Sequence, residues 1–366
     1  MSTRTAPAPT RPGPSAAPTP DRPPASSGPA SSGPASSGPA SSGTASHRRS
    51  LWRPQSNCGP ACLPAPGEVP RVSGARQLVR LVALVGALLF GALLLPVLPV
   101  LSRAGRQAAG RRWARTVLRA GGIRLDVRGR PPLRRALLVA NHVSWLDVLA
   151  ILAVTPARLL AKHEVRRWPL IGPLAALGGT VFIDRTRPRT LPETVAQVAE
   201  VLRADGVVAV FPEGTTWCGL PRRAIGCGEA VPFRPALFQA AIDAAAPVVP
   251  VRLTYGLAPG ESAGPVATGG EAAGAGDTTA PAFLAEESLY TSVRRALAVR
   301  GLAVTLTVVD EPWADGAVDR RRLAAAAQSA VRGTAPSAAV PSVPAVPAVA
   351  AASVPPADAV PLELAA

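Results

Sequence analysis

Along the middle of the chain, apolar and polar positions follow two rhythms. Short apolar runs at residues 123–127, 136–140, 158–161, 180–184, 207–211, 248–253 and 302–309 have the length of strands. Between them, apolar residues recur every three or four positions and predict helices over 144–153, 191–204, 235–244, 288–299 and 319–331. Strands that alternate with helices in this way predict an α/β domain ending near Arg332. Thr190 followed by Glu193 forms a capping box that opens one helix, and Gly206 closes it before the next strand. Residues 257–281, rich in Gly, Ala, Thr and Glu without a period, predict a surface loop.

One run is of a different kind. Leu81 to Ser102 reads LVALVGALLFGALLLPVLPVLS, 22 residues without a charge and long enough to cross hydrocarbon. Pro96 and Pro99 are able to break a helix, so a re-entrant or interfacial anchor is the alternative to a span. Arginines flank the run on both sides, with Arg71, Arg76 and Arg80 before it and Arg103, Arg106 and Arg111 among those after it. This bias mildly favours a cytoplasmic C-terminal side and an anionic leaflet as partner. The basic helix that follows, 103–120, is read either as lying at the membrane surface through Trp113, Val117 and Leu118 or as an ordinary first helix of the domain.

Composition separates this core from its tails. Residues 1–70 hold 16 of the 42 prolines and four Pro-Ala-Ser-Ser-Gly repeats, and residues 333–366 hold seven more prolines. Neither stretch has the apolar content to pack, so both read as disordered tails. The expected divisions are a tail over 1–72, a membrane-anchoring segment over 73–112, one catalytic-sized domain over 113–332 and a tail over 333–366.

The net charge of +16 suggests nucleic acid until it is divided along the chain. Residues 1–80 carry +7 and residues 103–135 carry +10, whereas 136–366 carry −1. The basic surplus thus flanks the apolar run, and with few aromatics this argues against a nucleic-acid partner. Four cysteines make no disulfide framework: Cys58 and Cys62 fall in the tail, and Cys218 and Cys227, with eight residues between them, lack a Cys-x2-Cys or His pair for zinc. They read as thiols in a reducing compartment, with no metal expected.

Candidate chemistry is concentrated in a few places. Of three histidines, His47 lies in the tail, which leaves His142 and His163 as possible bases. His142 stands where an apolar strand meets a helix, in Asn141-His142-Val143-Ser144-Trp145-Leu146-Asp147. The turn would allow Asp147 to fold back on the imidazole and fix its tautomer. Alternatively, Ser144 and Asp147 form a capping box and nothing more. A second group is Phe211-Pro212-Glu213-Gly214-Thr215 after a strand, where Gly214 permits close approach of a ligand and Glu213 accepts a hydrogen bond, or the whole is a polar turn. A third is Phe182-Ile183-Asp184-Arg185, whose Arg185 would grip a phosphate or pair with Asp184 or Asp205 at the surface. A fourth, Val248-Val249-Pro250-Val251-Arg252, reads as an inner strand.

Taken in order, Asn-His-x4-Asp, Phe-Ile-Asp-Arg, Phe-Pro-Glu-Gly-Thr and Val-Pro-Val resemble the four blocks of the glycerolipid acyltransferase family over residues 113–332. The resemblance implies a single α/β acyltransferase domain with a mixed sheet flanked by helices, behind a hydrophobic anchor and a disordered tail. It implies His142 as general base and Asp147 as its orienting partner. Arg185 would hold the acceptor phosphate, Glu213, Gly214 and Thr215 would shape the acceptor site, and Pro250 would line an apolar wall. The implied reaction is attack by a lysophospholipid hydroxyl on acyl-CoA or acyl carrier protein, without metal or other cofactor. The favoured acceptor is 1-acylglycerol 3-phosphate, giving phosphatidic acid, and lyso-ornithine lipid is the nearest alternative. The implied setting is a membrane, with the domain on the cytoplasmic face of a bacterial inner membrane. Departures follow Thr215, where Thr216-Trp217 stand in place of the family's usual Arg-Ser, and at Phe233-Arg234-Pro235-Ala236. Two other classes compete: a thiol enzyme with Cys218 as nucleophile, and a basic, non-catalytic protein of the membrane surface.

Overall fold

A computed structural model describes residues 56, 58–169, 171–219, 231–260, 277–284, 287–309 and 319–333. The expected disordered tail up to residue 55, the tail from 334 onward, and Cys227 lie outside them.

Seven strands form one mixed sheet: β1 (Arg124–Arg128), β2 (Ala136–Ala140), β3 (Ala157–Lys162), β4 (Val181–Ile183), β5 (Val207–Val210), β6 (Val248–Leu257) and β7 (Leu302–Val308). Their order is β1-β7-β6-β2-β5-β3-β4, and β6 with β7 is the antiparallel pair. β2 lies between β5 and β6, parallel to both, with Val139 opposite Val210 and Pro250. All five residues of β2 are buried, which is why it reads as an unbroken apolar run rather than an alternating one.

Helices cover both faces. Ala136, Leu138 and Ala140 of β2 join one apolar cluster with α2 (Arg103–Ala120), α3 (Leu146–Val154) and α7 (Leu289–Ala298). Leu137 and Val139 point the other way, into a second cluster with α5 (Leu191–Arg203), α6 (Phe238–Asp243) and α8 (Arg320–Arg332). The two-residue period of a strand thus divides one sequence run between two cores. A short helix that the periodicity misses, α4 (Ile171–Leu177), precedes β4.

The apolar run becomes α1 (Gly74–Leu94), capped by Ser73, whose side chain accepts from the Arg76 amide. Among the described residues it is the one helix long and apolar enough to cross a membrane. Its first turns are tied to the domain: Gln77 donates to the Arg294 carbonyl, and Arg80 donates to the Leu297 and Val299 carbonyls. After the break at Pro96 and Pro99 the chain returns as α2, and the indole N–H of Trp113 donates to the Ala87 carbonyl at 2.9 Å. Gly91 permits this approach, because a Cβ there would sit 2.3 Å from the Trp113 ring nitrogen.

Several expectations need correction. Val117 and Leu118 are buried in the core and Trp113 packs on α1, so they do not face a membrane: α2 is the first helix of the domain. Residues 58–72 are not tail. They include a 3-10 turn at Pro60–Cys62, a buried Val69, and a bridge from Arg71 to Val299. Their small apolar side chains find a site on the domain that composition alone does not reveal. The capping box at α5 is not formed, because a 3-10 turn (Pro188–Thr190) runs straight into the helix and leaves Thr190 helical. Asp205, with φ 63°, makes the reversal assigned to Gly206. Of the loop expected at 257–281, residue 257 belongs to β6 and residues 278–280 are buried, while 261–276 lie outside the described residues.

Candidate active site

Parallel strands aligned side by side bring their carboxyl ends to one edge of the sheet, where ligands of open α/β sheets bind. His142 follows β2 and Phe211–Thr215 follows β5, its parallel neighbour; Lys162 ends β3, and Arg185 follows β4. Three sequence motifs, joined by Lys162, thus meet at one edge because their strands run the same way.

Asn141 first extends the strand register with its side chain. Its carboxamide donates to the Leu253 carbonyl at 2.9 Å and accepts from the Leu253 amide at 2.8 Å, locking the end of β2 to β6. His142 comes next, its Nδ1 2.8 Å from Asp147 Oδ2. Asp147 is 0% exposed, and the same oxygen accepts the amides of Val143 at 2.6 Å and Ser144 at 2.8 Å. The catalytic and capping readings of Asp147 are therefore one arrangement, in which the carboxylate that ties the turn also holds the imidazole.

Tyr255 of β6, which sequence reasoning missed, donates its hydroxyl to Asp147 Oδ1. Burial and the neighbouring Asp147 charge raise its pKa well above the usual phenol value, so it remains a donor. Both oxygens of the carboxylate are engaged, which fixes its plane. The imidazole stacks on Phe211, centroids 4.0 Å apart and planes 13° from parallel, and the His142 side chain remains 21% exposed. Only one signal was available for Tyr255: it lies two residues beyond Leu253, on the strand that begins with the Val-Pro-Val block.

Glu213 is turned into the fold beside His142. It is 1% exposed and accepts the His142 amide at 2.9 Å, with Arg332 at 3.9 Å. Burial outweighs these partners and pushes its pKa up to about 8. The next residue, Gly214, has φ +73° and donates to the Phe211 carbonyl at 3.0 Å, a turn in which a side chain would be strained. Trp217 then donates its amide to the His142 carbonyl at 3.0 Å. His142 is held through its amide, its carbonyl and its ring.

Arg185 donates to the Gly214 carbonyl at 2.5 Å and so joins β4 to the turn after β5. It does not pair with Asp184 or Asp205, which bond instead to Thr186 and Arg187 and to Arg134. Its pKa is lowered by burial and then by the charge of Arg234, and that of Lys162 by partial burial and then by Arg185. Burial lowers the pKa of Arg234 as well, and Glu164 acts in the opposite sense on Lys162 and Arg185; a group with this surplus of cations is suited to an anion. Thr215, which follows Gly214, is half-buried. Pro250 is buried within β6 opposite Val139, three residues before His142 in register, and its carbonyl accepts from Val309. His163 lines a separate open cavity of about 470 Å³ with Arg158, Arg166 and Glu200, and that lining includes neither His142 nor Asp147.

The family model described as Acyltransferase matches residues 124–254. The chain is 42% identical over 144 residues to a 1-acyl-sn-glycerol-3-phosphate acyltransferase of Neisseria meningitidis serogroup B, covering 38% of this chain and 53% of that protein. It is 33% identical over 229 residues to a lyso-ornithine lipid O-acyltransferase of Pseudomonas aeruginosa, covering 62% of this chain and 78% of that protein. The match therefore spans about half the length of the first relative and more than two thirds of the second. Among solved structures, the 1-acyl-sn-glycerophosphate acyltransferase of Thermotoga maritima aligns with a TM-score of 0.47 and 18% identity, over 70% of this chain and 95% of that one.

Proposed function

Because the chain belongs to the acyltransferase family, we propose that it transfers a fatty acyl group from acyl-CoA or acyl carrier protein to the free hydroxyl of a lysophospholipid. The observation that carries this reading is the 2.8 Å contact between His142 Nδ1 and the buried Asp147 carboxylate. With Nδ1–H directed at the carboxylate, the neutral ring offers its Nε2 lone pair to the acceptor.

The acceptor oxygen bonds to the thioester carbonyl carbon as its proton passes to Nε2. The tetrahedral adduct then collapses, the carbon–sulfur bond breaks, and the proton on Nε2 goes to the departing thiolate. Asp147 stabilises the imidazolium between the two steps. Base catalysis of this kind contributes about 10² to 10⁴ in rate, and alignment of the two substrates supplies much of the remainder. The residues described suffice for these proton transfers.

Arg185, with Lys162 and Arg234 near it, fits a phosphate, which favours 1-acylglycerol 3-phosphate as acceptor and phosphatidic acid as product. Acylation of lyso-ornithine lipid is the second reading, favoured by the longer match to the Pseudomonas relative. The exposed apolar face of α1, including Leu78, Val82, Leu89, Phe90 and Leu93, supports seating on a membrane. Because the start of α1 is bonded to the domain and α2 returns to it, a re-entrant or interfacial anchor is favoured over a span. The basic flanks favour an anionic, cytoplasmic leaflet of a bacterial inner membrane.

The test is acyl transfer in liposomes with labelled donor and a panel of lyso-acceptors, comparing wild type with His142→Ala. Acylation of lysophosphatidic acid that disappears in the variant supports the reading. Preference for lyso-ornithine lipid moves the assignment to the second acceptor. Undiminished activity in His142→Ala, or inactivity of the wild type across the panel with both donors, overturns the proposal.

A further inference from the structure

The chain has four cysteines in 366 residues, and three of them meet. The sulfurs of Cys58, Cys62 and Cys218 all lie within 4.8 Å of one another, although Cys58 and Cys218 are 160 residues apart. The 3-10 turn at Pro60–Cys62, closed by the Cys62 amide on the Gly59 carbonyl at 2.9 Å, brings Cys58 and Cys62 together. Cys218 enters from the loop after Gly214, and its amide donates to the Cys58 sulfur at 3.3 Å. Cys62 and Cys218 are buried and Cys58 is half-buried.

We propose that these three sulfurs bind a zinc ion as thiolates, with a fourth donor completing the tetrahedron. Zinc holds cysteine sulfur at about 2.3 Å, which places sulfurs about 3.8 Å from one another. The separations found, all within 4.8 Å, exceed that distance by about 1 Å at most. A disulfide would instead bring two sulfurs to about 2.05 Å and leave the third unused. Soft sulfur donors select zinc over magnesium or calcium, and a backbone amide directed at a sulfur is the outer contact that orients a thiolate ligand. Three neighbouring thiolates repel one another in a buried site, and a divalent cation removes that repulsion while three protons leave.

Cys58-x3-Cys62 has the spacing of a zinc-ligand pair, but the third sulfur comes from Cys218, 156 residues further on, so only the fold brings the set together. Zinc at this point joins the segment before α1 to the loop whose Trp217 amide holds the His142 carbonyl. The site is structural, and it stands whether or not the protein acylates a lipid.

The test is metal content of the full chain, purified under reducing conditions and dialysed against a weak chelator. About one zinc per chain is expected, and cobalt in its place should give thiolate-to-metal charge-transfer absorption. Cys58→Ser and Cys218→Ser should each lower the zinc content to background. If these variants fold poorly, the wild type is titrated with an organomercurial, and zinc should leave in step with thiol modification. Wild type without bound metal after reconstitution, a triple serine variant that retains its metal, or a Cys58–Cys218 disulfide in protein purified without oxygen would each overturn the proposal.

Discussion

Two halves of the site edge are built on different principles. On the side of β2, β5 and β6, every group is engaged: buried Asp147 accepts two amides, the imidazole and the Tyr255 hydroxyl, and Glu213 and Trp217 hold the backbone of His142. On the side of β3 and β4, exposed Lys162 and half-buried Arg185 gather, with Arg234, a surplus of positive charge over Glu164. The first half needs geometry, because a base misplaced by an ångström loses most of its effect. In the proposed reaction the second needs field, because an anionic headgroup would be recruited by summed charge. The difference teaches where each function is vulnerable, one to side-chain truncation and the other to salt.

The sharpest way to break this division is Asp147→Asn. Loss of the carboxylate removes the partner that fixes the His142 tautomer, and kcat should fall by on the order of 10² to 10⁴ with little change in KM. Circular dichroism confirms that the variant is folded, and a mere doubling of KM at unchanged kcat would assign Asp147 to the turn alone.

Glu213→Gln tests the buried half through stability. The carboxyl sits at about 8 in the fold, above its ordinary value near 4.5, so the native state keeps a proton that the unfolded chain releases between those values. Its contribution is therefore fully present below about pH 4.5 and is lost as pH rises to 8, with a slope of up to about 1.4 kcal/mol per pH unit. Glutamine does not titrate and still accepts the His142 amide through its carbonyl oxygen, so melting curves across this window should lose that component. An unchanged pH profile would mean that Glu213 is ionised in the fold by its contact with Arg332.

Arg185→Gln addresses the charged half and has the smallest expected effect. A hydrogen bond to a charged group contributes about 1.5 to 3 kcal/mol, so kcat/KM for a phosphate-bearing acceptor should fall at least about tenfold. The loss should appear in KM and shrink somewhat as salt is raised, because a half-buried charge is partly screened. For an acceptor without phosphate the variant should behave like wild type, which makes the same measurement a discriminator between lysophosphatidic acid and lyso-ornithine lipid. A loss confined to kcat would move Arg185 to the geometric half, through its bond to the Gly214 carbonyl.

Much of this fold is legible as local pattern. The strand at Ala136–Ala140 and the helix beginning at Leu191 follow from apolar runs and helical periodicity, since burial of those residues depends on their own spacing. Errors arise where a neighbour intervened. Thr190 has the chemistry of a cap, yet a 3-10 turn before it took the position, and Asp205 took the positive φ that glycine was expected to supply. Val117 and Leu118 show the same apolar character on a membrane surface as in a core, and only the contact with α3 and the sheet distinguishes the two.

The candidate site divides along the same line. His142 and Asp147 are five residues apart, so a single strand-to-helix turn is enough to join them, and that pairing was legible in the chain as one of two readings, beside the α/β alternation and the apolar run. Tyr255 reaches Asp147 from 108 residues away, Arg185 reaches Gly214 from 29, and Cys58 meets Cys218 from 160. Those meetings, the inward turn of Glu213 and the docking of α1 on the domain were decided only by the tertiary structure. The physical reason is that periodicity and capping act within a few residues, whereas burial and hydrogen bonding across strands depend on which distant segments the sheet order makes neighbours.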